Sequence, residues 1–206
     1  MVEAATSRRG RITPEREAEL YAAVLDLLRE VGYGPLTMDA VAARTRCSKA
    51  TLYRQWGGKA ELIVKAMRHN KPAGVRGVDT GSLRGDFLAA LSIEDDSAME
   101  RNSALMRGLV MEIHHNPDLG RAFRELLIEP ERAEFNRVLR LAVDRGEIRA
   151  DNPALAYAPH MLIGAYFART LLDDRPPTRA FLAEYADAVL FPALGVGRSP
   201  SSRPQQ

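Results

Sequence analysis

The sequence predicts an all-α chain in two parts, a small N-terminal unit of three helices and a larger helical body. Three observations predict it. Apolar residues recur at three- and four-residue intervals, no segment shows the period-two alternation of a strand, and prolines and glycines fall where helices begin and end. Asn70 to Ser82, with Pro72 and three glycines, is the best boundary or hinge between the parts. The first part is placed at residues 8–70 and the second at 78–194. Composition marks 1–7 and 195–206 as disordered.

The elements follow in order. Thr13 caps and Pro14 opens a first helix, whose Leu20, Val24, Leu27, Leu28 and Val31 form one apolar face before Gly32-Tyr33-Gly34-Pro35 ends it. Thr37 caps a second helix with Asp39 in its first turn, where the helix dipole favours an anion. Val41 and Ala42 give it a small apolar face, and Arg44-Thr45-Arg46 closes it. Ser48 caps a third helix from Lys49 to Trp56, and Gly57-Gly58 stops it. A fourth, from Lys59 to about His69, buries Leu62, Ala66 and either Ile63 or Val64. In the body, helices are expected near 82–92, 97–114, 117–127, 130–145, 152–172 and 178–191. Pro117, Pro130, Pro153 and Pro177 stand near starts, Gly146 follows an end, and Pro192 closes the last helix. Pro159 must either kink its helix or delay its start.

Composition excludes several classes of function. With 206 residues the chain can hold one or two compact domains. No apolar run approaches the ~18 residues of a membrane helix, so no membrane partner is expected. The basic N-terminus lacks the apolar core of a secretory signal. The single cysteine cannot form an internal disulfide, which fits a reducing, cytoplasmic location. Residues 1–71 hold 13 Lys/Arg against 8 Asp/Glu, a balance of +5, and the rest hold 16 against 19, a balance of −3. A basic head thus precedes a mildly acidic body. There is no G-x-S-x-G, P-loop, C-x-x-C or H-E-x-x-H pattern, so no catalysis, cofactor or metal is expected. Glu112 and His115, three apart on a helix with His160 or Asp118 to complete a site, are the nearest approach to a metal set, but His114-His115 reads equally well as a helix C-terminus. Cys47, between Arg46 and Lys49, reads as a buried, inert thiol.

Thr37 to Lys59 carries the strongest functional signal. Two short helices flank a tight turn, and five basic residues with no acidic one lie between Arg44 and Lys59. A helix, a short turn and a second helix with a polar, basic N-terminal end is the arrangement of a DNA-binding helix-turn-helix. Leu52 and Trp56, four apart, take the opposite face and pack into the three-helix core.

These residues also carry a resemblance. The run from Leu36 to Leu62 resembles the N-terminal domain of the tetracycline-repressor (TetR) family of bacterial transcription regulators. Thr37, Ala42, Ser48, Thr51-Leu52-Tyr53, Trp56 and Lys59 match the family pattern. Cys47 stands where the family usually has valine, and Gly58 where serine often caps the next helix. The resemblance is strong over residues 8–70 and weak beyond them.

The resemblance implies that Lys49, Ala50, Tyr53 and Arg54 face the major groove, with lysine suited to guanine and Ala50 and Tyr53 to a thymine methyl. Thr37, Ser48, Thr51, Gln55 and Lys59 would hold phosphate oxygens. Arg8, Arg9 and Arg11 would enter the adjacent minor groove or track the backbone. The expected partner is a palindromic double-stranded DNA operator, bound by a homodimer that pairs through its last two helices, about 152–172 and 178–191. Tyr157, Met161, Gly164, Ala165 and Ala168 offer a stripe on the first, and Phe181, Tyr185, Ala188, Val189 and Phe191 one on the second, although both also read as protomer core.

Between these parts, residues 105–113 are apolar on most sides and are expected to be deeply buried, against neighbours that include Leu88. A small hydrophobic effector would bind here, with Met106, Val110, Met111, His114, Phe123, Met161 and Phe167 as its candidate contacts. The resulting expectation is a homodimeric repressor released from its operator by that effector. Two other readings stay open: a nonspecific or architectural DNA-binding protein, and a helical metal-binding protein or enzyme whose basic segment is incidental.

Overall fold

The computed structural model describes residues 12–71 and 77–197. The basic arm Arg8, Arg9 and Arg11, the centre of the boundary segment and the end of the tail lie outside the described residues. The chain divides into two compact units between residues 70 and 71. Among the described residues every regular element is helical.

The first unit contains α1 (Pro14–Val31), α2 (Met38–Thr45), α3 (Lys49–Trp56) and α4 (Lys59–Asn70). Each of the first three starts on the capping residue that the sequence offers: Thr13 accepts from the Arg16 N–H, Thr37 from Ala40 and Ser48 from Thr51. Each cap satisfies one of the four N–H groups that a helix start leaves unpaired. Packing is mainly α1 against α4. Both Ile63 and Val64 are fully buried, since α4 is enclosed around more of its circumference than one stripe requires. Val31, at the end of α1, is 43% exposed and leaves the apolar face predicted for it. Gly57 ends α3 at φ +85°, a conformation that a side chain would strain.

The second unit contains α5 (Leu83–Ser92), α6 (Asp96–Ile113), α7 (Pro117–Phe123), α8 (Glu129–Asp144), α9 (Ala158–Asp173), α10 (Arg179–Tyr185) and α11 (Phe191–Ala193). Leu139, Ala142, Ile148, Ala158, Leu190 and Phe191 form its centre, with the Phe87 ring edge-on to Phe191 at 5.7 Å. Asp86 is fully buried and locks one end of this core. It accepts from the Thr80 N–H at 2.6 Å, the Thr80 hydroxyl at 2.8 Å and Arg145 at 2.9 Å. Arg145 also binds Glu147 and Asp79, and Glu147 in turn accepts from the Leu83 N–H.

Prolines shape this unit in a way the sequence pattern misplaced. Helices 117–127 and 130–145 were expected to be separate, with Pro130 near the second start. They are one continuous helix from Pro117 to Asp144, with a wide π-turn at Arg124–Ile128. The last helix has the same device, a π-turn at Ala186–Leu190 before Pro192, which lies inside the final turn and does not close it. A proline within an α-helix clashes with the carbonyl four residues earlier. Those carbonyls belong to Leu126 and Ala188, each inside a wide turn, where the looser winding gives the ring room. Pro159 instead delays its helix: a 3₁₀ turn at Pro153–Ala156 precedes α9. At the other end Gly195, at φ +77°, and Val196 return N–H bonds to Pro192 and Phe191, so the segment expected as tail starts with the cap of the last helix.

Candidate nucleic-acid interface

The helix-turn-helix is built from α2, the turn at Arg46-Cys47 and α3. Arg46 takes the left-handed conformation at φ +51°, unusual for a residue with a side chain, and its N–H closes α2. Cys47 in this turn is half-buried. Leu52 and Trp56 fasten α3 inward, at 0% and 4% exposure. The Trp56 indole N–H donates to the Tyr21 hydroxyl at 2.8 Å, and that hydroxyl donates to Glu17 at 2.8 Å. Burial pushes the Tyr21 phenol up to about 12, so it stays a neutral partner.

With that face fixed, the opposite side of α3 stands in solvent. Ser48, Lys49, Ala50, Tyr53, Arg54 and Gln55 are exposed, and Thr51 is half-buried with its hydroxyl 2.8 Å from that of Ser48. Thr37 is exposed beside the start of α2. Seven of these eight residues are open to solvent and Thr51 is partly so. Lys59 is half-buried, and its side chain is held within the unit. Its ammonium donates to the carbonyls of Tyr33 at 2.9 Å and Leu36 at 3.0 Å, more weakly to Gly34, and lies 4.1 Å over the Tyr33 ring. It ties the α1–α2 loop to the start of α4, a role no spacing rule revealed.

The five basic residues also divide. Arg44 grips Glu30 with both arms, and this hydrogen bonding holds the Glu30 carboxyl below its ordinary range. Lys49 lies 2.9 Å from the Asp39 carboxylate, whose hydrogen bond raises the lysine's pKa. Arg46 and Arg54 make no ion pair among the described residues, which leaves Arg46 as the readiest phosphate ligand and Arg54 free for the groove.

The body corrects one expectation. Residues 105–113 are not deeply buried: only Leu109 is, while Leu105, Met106, Val110 and Ile113 are half-buried and Met111 is 70% exposed. The alternation of small and polar residues on α6 (Ser103, Ala104, Arg107, Gly108) leaves that helix at the surface. Leu88, expected among its packing neighbours, is 47% exposed. Of the remaining effector candidates, Phe123 is buried, Met161 and Phe167 are half-buried, and His114 is exposed with its ring near the Val110 carbonyl.

A polar group that the apolar pattern hid lies beside them. Arg107 donates to the Ser103 hydroxyl at 2.8 Å and the Thr170 hydroxyl at 3.2 Å, and Tyr166 donates to the Met99 carbonyl. Burial raises the pKa of nearby Glu94, which accepts from Asn102. Among the described residues no three metal-ligating side chains cluster, at Glu112 and His115 or elsewhere. No described helix is long and apolar enough to cross a membrane.

A capped, outward-facing recognition helix on a helical unit defines a helix-turn-helix DNA-binding protein. Comparison with known proteins places it more narrowly. Residues 20–66 match the family model "Bacterial regulatory proteins, tetR family", and residues 78–189 match "Tetracyclin repressor-like, C-terminal domain". The chain is 36% identical over 184 residues to an HTH-type transcriptional regulator of Mycobacterium tuberculosis, spanning 87% of this chain and 88% of that one. It is 33% identical over 183 residues to a protein of Mycobacteroides abscessus named DNA-binding transcriptional repressor TetR, covering 88% and 95%. A crystal structure of a TetR family transcription regulator superposes with a TM-score of 0.65 at 29% identity, covering 89% and 100%. The chain belongs to the TetR family of DNA-binding transcriptional regulators.

Proposed function

We propose that this regulator is a homodimeric repressor, acting in the cytoplasm, that occupies a palindromic operator and leaves it when a small hydrophobic effector binds. The observation that carries the reading is the division of α3, with Leu52 and Trp56 inside and Lys49, Ala50, Tyr53 and Arg54 outside. In this reading the outer four enter the major groove, while Thr37, Ser48, Thr51 and Gln55 hold phosphates. Residues 8–70 are the DNA-binding part, and 78–194 bind effector and partner.

One such head reads few base pairs, so two must act together, one DNA turn apart or a multiple of it. Support for pairing through the last two helices comes from their outer faces. Tyr157, Gly164 and Leu171 recur at seven-residue spacing on the first, all exposed, and Ala188 and Val189 are exposed on the second. The M. abscessus relative's name supports repression. Release requires an effector that favours the geometry unable to bind DNA, because equal affinity for both shifts nothing. A ligand among the helices of the body, near Met106, Val110, Phe123, Met161 and Phe167, would move α4 and change the separation of the two heads.

Selection of sites from a random duplex pool, at near-physiological salt with nonspecific competitor, tests this. Enrichment of a palindrome supports it and supplies the probe for screening effectors. Enrichment of nothing by folded protein, with binding that falls steeply with salt, replaces it with nonspecific DNA binding.

A further inference from the structure

Among the described residues, Asp39 is the carboxylate that pairs with the N-terminal end of the recognition helix. It projects from the first turn of α2, its side chain 72% exposed, and holds the Lys49 ammonium at 2.9 Å. Lys49 is the first residue of α3, where the helix dipole opposes a cation, and its side chain is 49% exposed. An exposed pair of this kind contributes little to folding. A carboxylate on a surface that must approach phosphates also weakens generic docking. The dipole of α2 favours a carboxylate at this position but does not call for its grip on Lys49, and base reading accounts for that pairing.

The chemistry of the pair supplies that account. Lys49 presents donors and Asp39 an acceptor, side by side. In the major groove a guanine–cytosine pair presents the complement: acceptors at guanine N7 and O6, and a donor at cytosine N4. We infer that Asp39 and Lys49 act together as the reader of a guanine–cytosine pair in each half-site, the lysine on guanine and the aspartate on the cytosine amino group. An adenine–thymine pair offers the ammonium single acceptors separated by the adenine amino group and fits the pair less well. On nonspecific DNA the carboxylate keeps the lysine and repels phosphate, so Asp39 sharpens discrimination from both sides.

This inference rests on the operator-binding reading and is tested by site selection with the full chain and with Asp39→Ala and Asp39→Asn, each checked for unchanged helical circular dichroism. For the unsubstituted protein, one guanine–cytosine position per half-site should be enriched, and its replacement should weaken binding about five- to a hundredfold. In Asp39→Ala that preference collapses, the other positions persist, and the salt slope on nonspecific duplex steepens by about one as Lys49 turns to phosphate. Asp39→Asn, which keeps an acceptor without charge, steepens the slope similarly and retains more of the preference than alanine. An unchanged preference at every position in Asp39→Ala, or an adenine–thymine preference at the position it controls, overturns the inference while leaving the operator reading intact. If the unsubstituted protein enriches no site, both fall.

Discussion

Two buried polar contacts, one in each unit, hold these folds at the level of single residues. In the body, burial alone would raise the pKa of Asp86, but the bonds from Thr80 and Arg145 outweigh it and keep the carboxyl below its ordinary value. Asp86→Ala removes the acceptor of the Thr80 N–H and hydroxyl and one of the three carboxylates around Arg145, and should cost about 1–3 kcal/mol, measured by urea denaturation followed by circular dichroism. The same carboxyl sets an acid limit. Its stabilisation is complete above the unfolded-state value of about 3.9 and disappears as pH falls through the lower folded-state value. The midpoint in urea should therefore fall below pH 4 in the unsubstituted chain and respond less in Asp86→Ala. In the head, Tyr21→Phe strands the Trp56 N–H and should cost about 1–3 kcal/mol. Trp56 is the only tryptophan, so its fluorescence during denaturation reports on the head alone. An unchanged midpoint would mean that the indole finds another acceptor.

At the scale of elements, Lys59 separates two accounts of the head. A phosphate ligand lost from the interface makes the salt slope of operator binding shallower by about one. A clip lost from the α1–α2 loop lowers stability and leaves the slope alone. Its three carbonyl partners predict the second for Lys59→Met, a loss of about 1.5–3 kcal/mol in tryptophan-detected unfolding. Arg46→Ala, which removes a cation that makes no ion pair among the described residues, should do the reverse. Lys59 also marks where the sequence stopped being legible. The caps at Thr13, Thr37 and Ser48 were readable because capping is local, and Leu52 and Trp56 because a four-residue interval decides a helix face. The ammonium of Lys59 joins residues 23 to 26 positions away, which no local rule reaches. The π-turns failed for another reason: a proline says that the α-helical bond must break, not whether the chain turns or widens. The exposure of Met111 was hidden because an apolar run does not reveal which neighbours will cover it.

At the scale of the whole molecule the question is what covers the outer face of α9. Leu171 is 85% exposed and Leu172 is 78% exposed, large apolar surfaces that a lone protomer leaves in water. With Gly164 one heptad earlier and Tyr157, at the cap of α9, two heptads earlier, Leu171 completes a narrow stripe of the kind that pairs helices. Because it touches so little within its own chain, Leu171→Glu should leave the helical circular dichroism of the protomer unchanged. Buried against a second copy, the same carboxylate would lack a partner and oppose association. Sedimentation at micromolar concentration should thus show a dimer for the unsubstituted protein and a monomer for the variant. The functional consequence follows from linkage of two heads. Once one head is bound, the other sees its half-site at a high effective concentration, so joining them raises affinity by about 10²–10⁴-fold. Leu171→Glu should lose a factor in that range on a full palindrome and almost nothing on a single half-site. A variant that stays dimeric would move the interface away from Leu171. A monomer that still binds the full palindrome as tightly as the unsubstituted protein would remove the need for pairing.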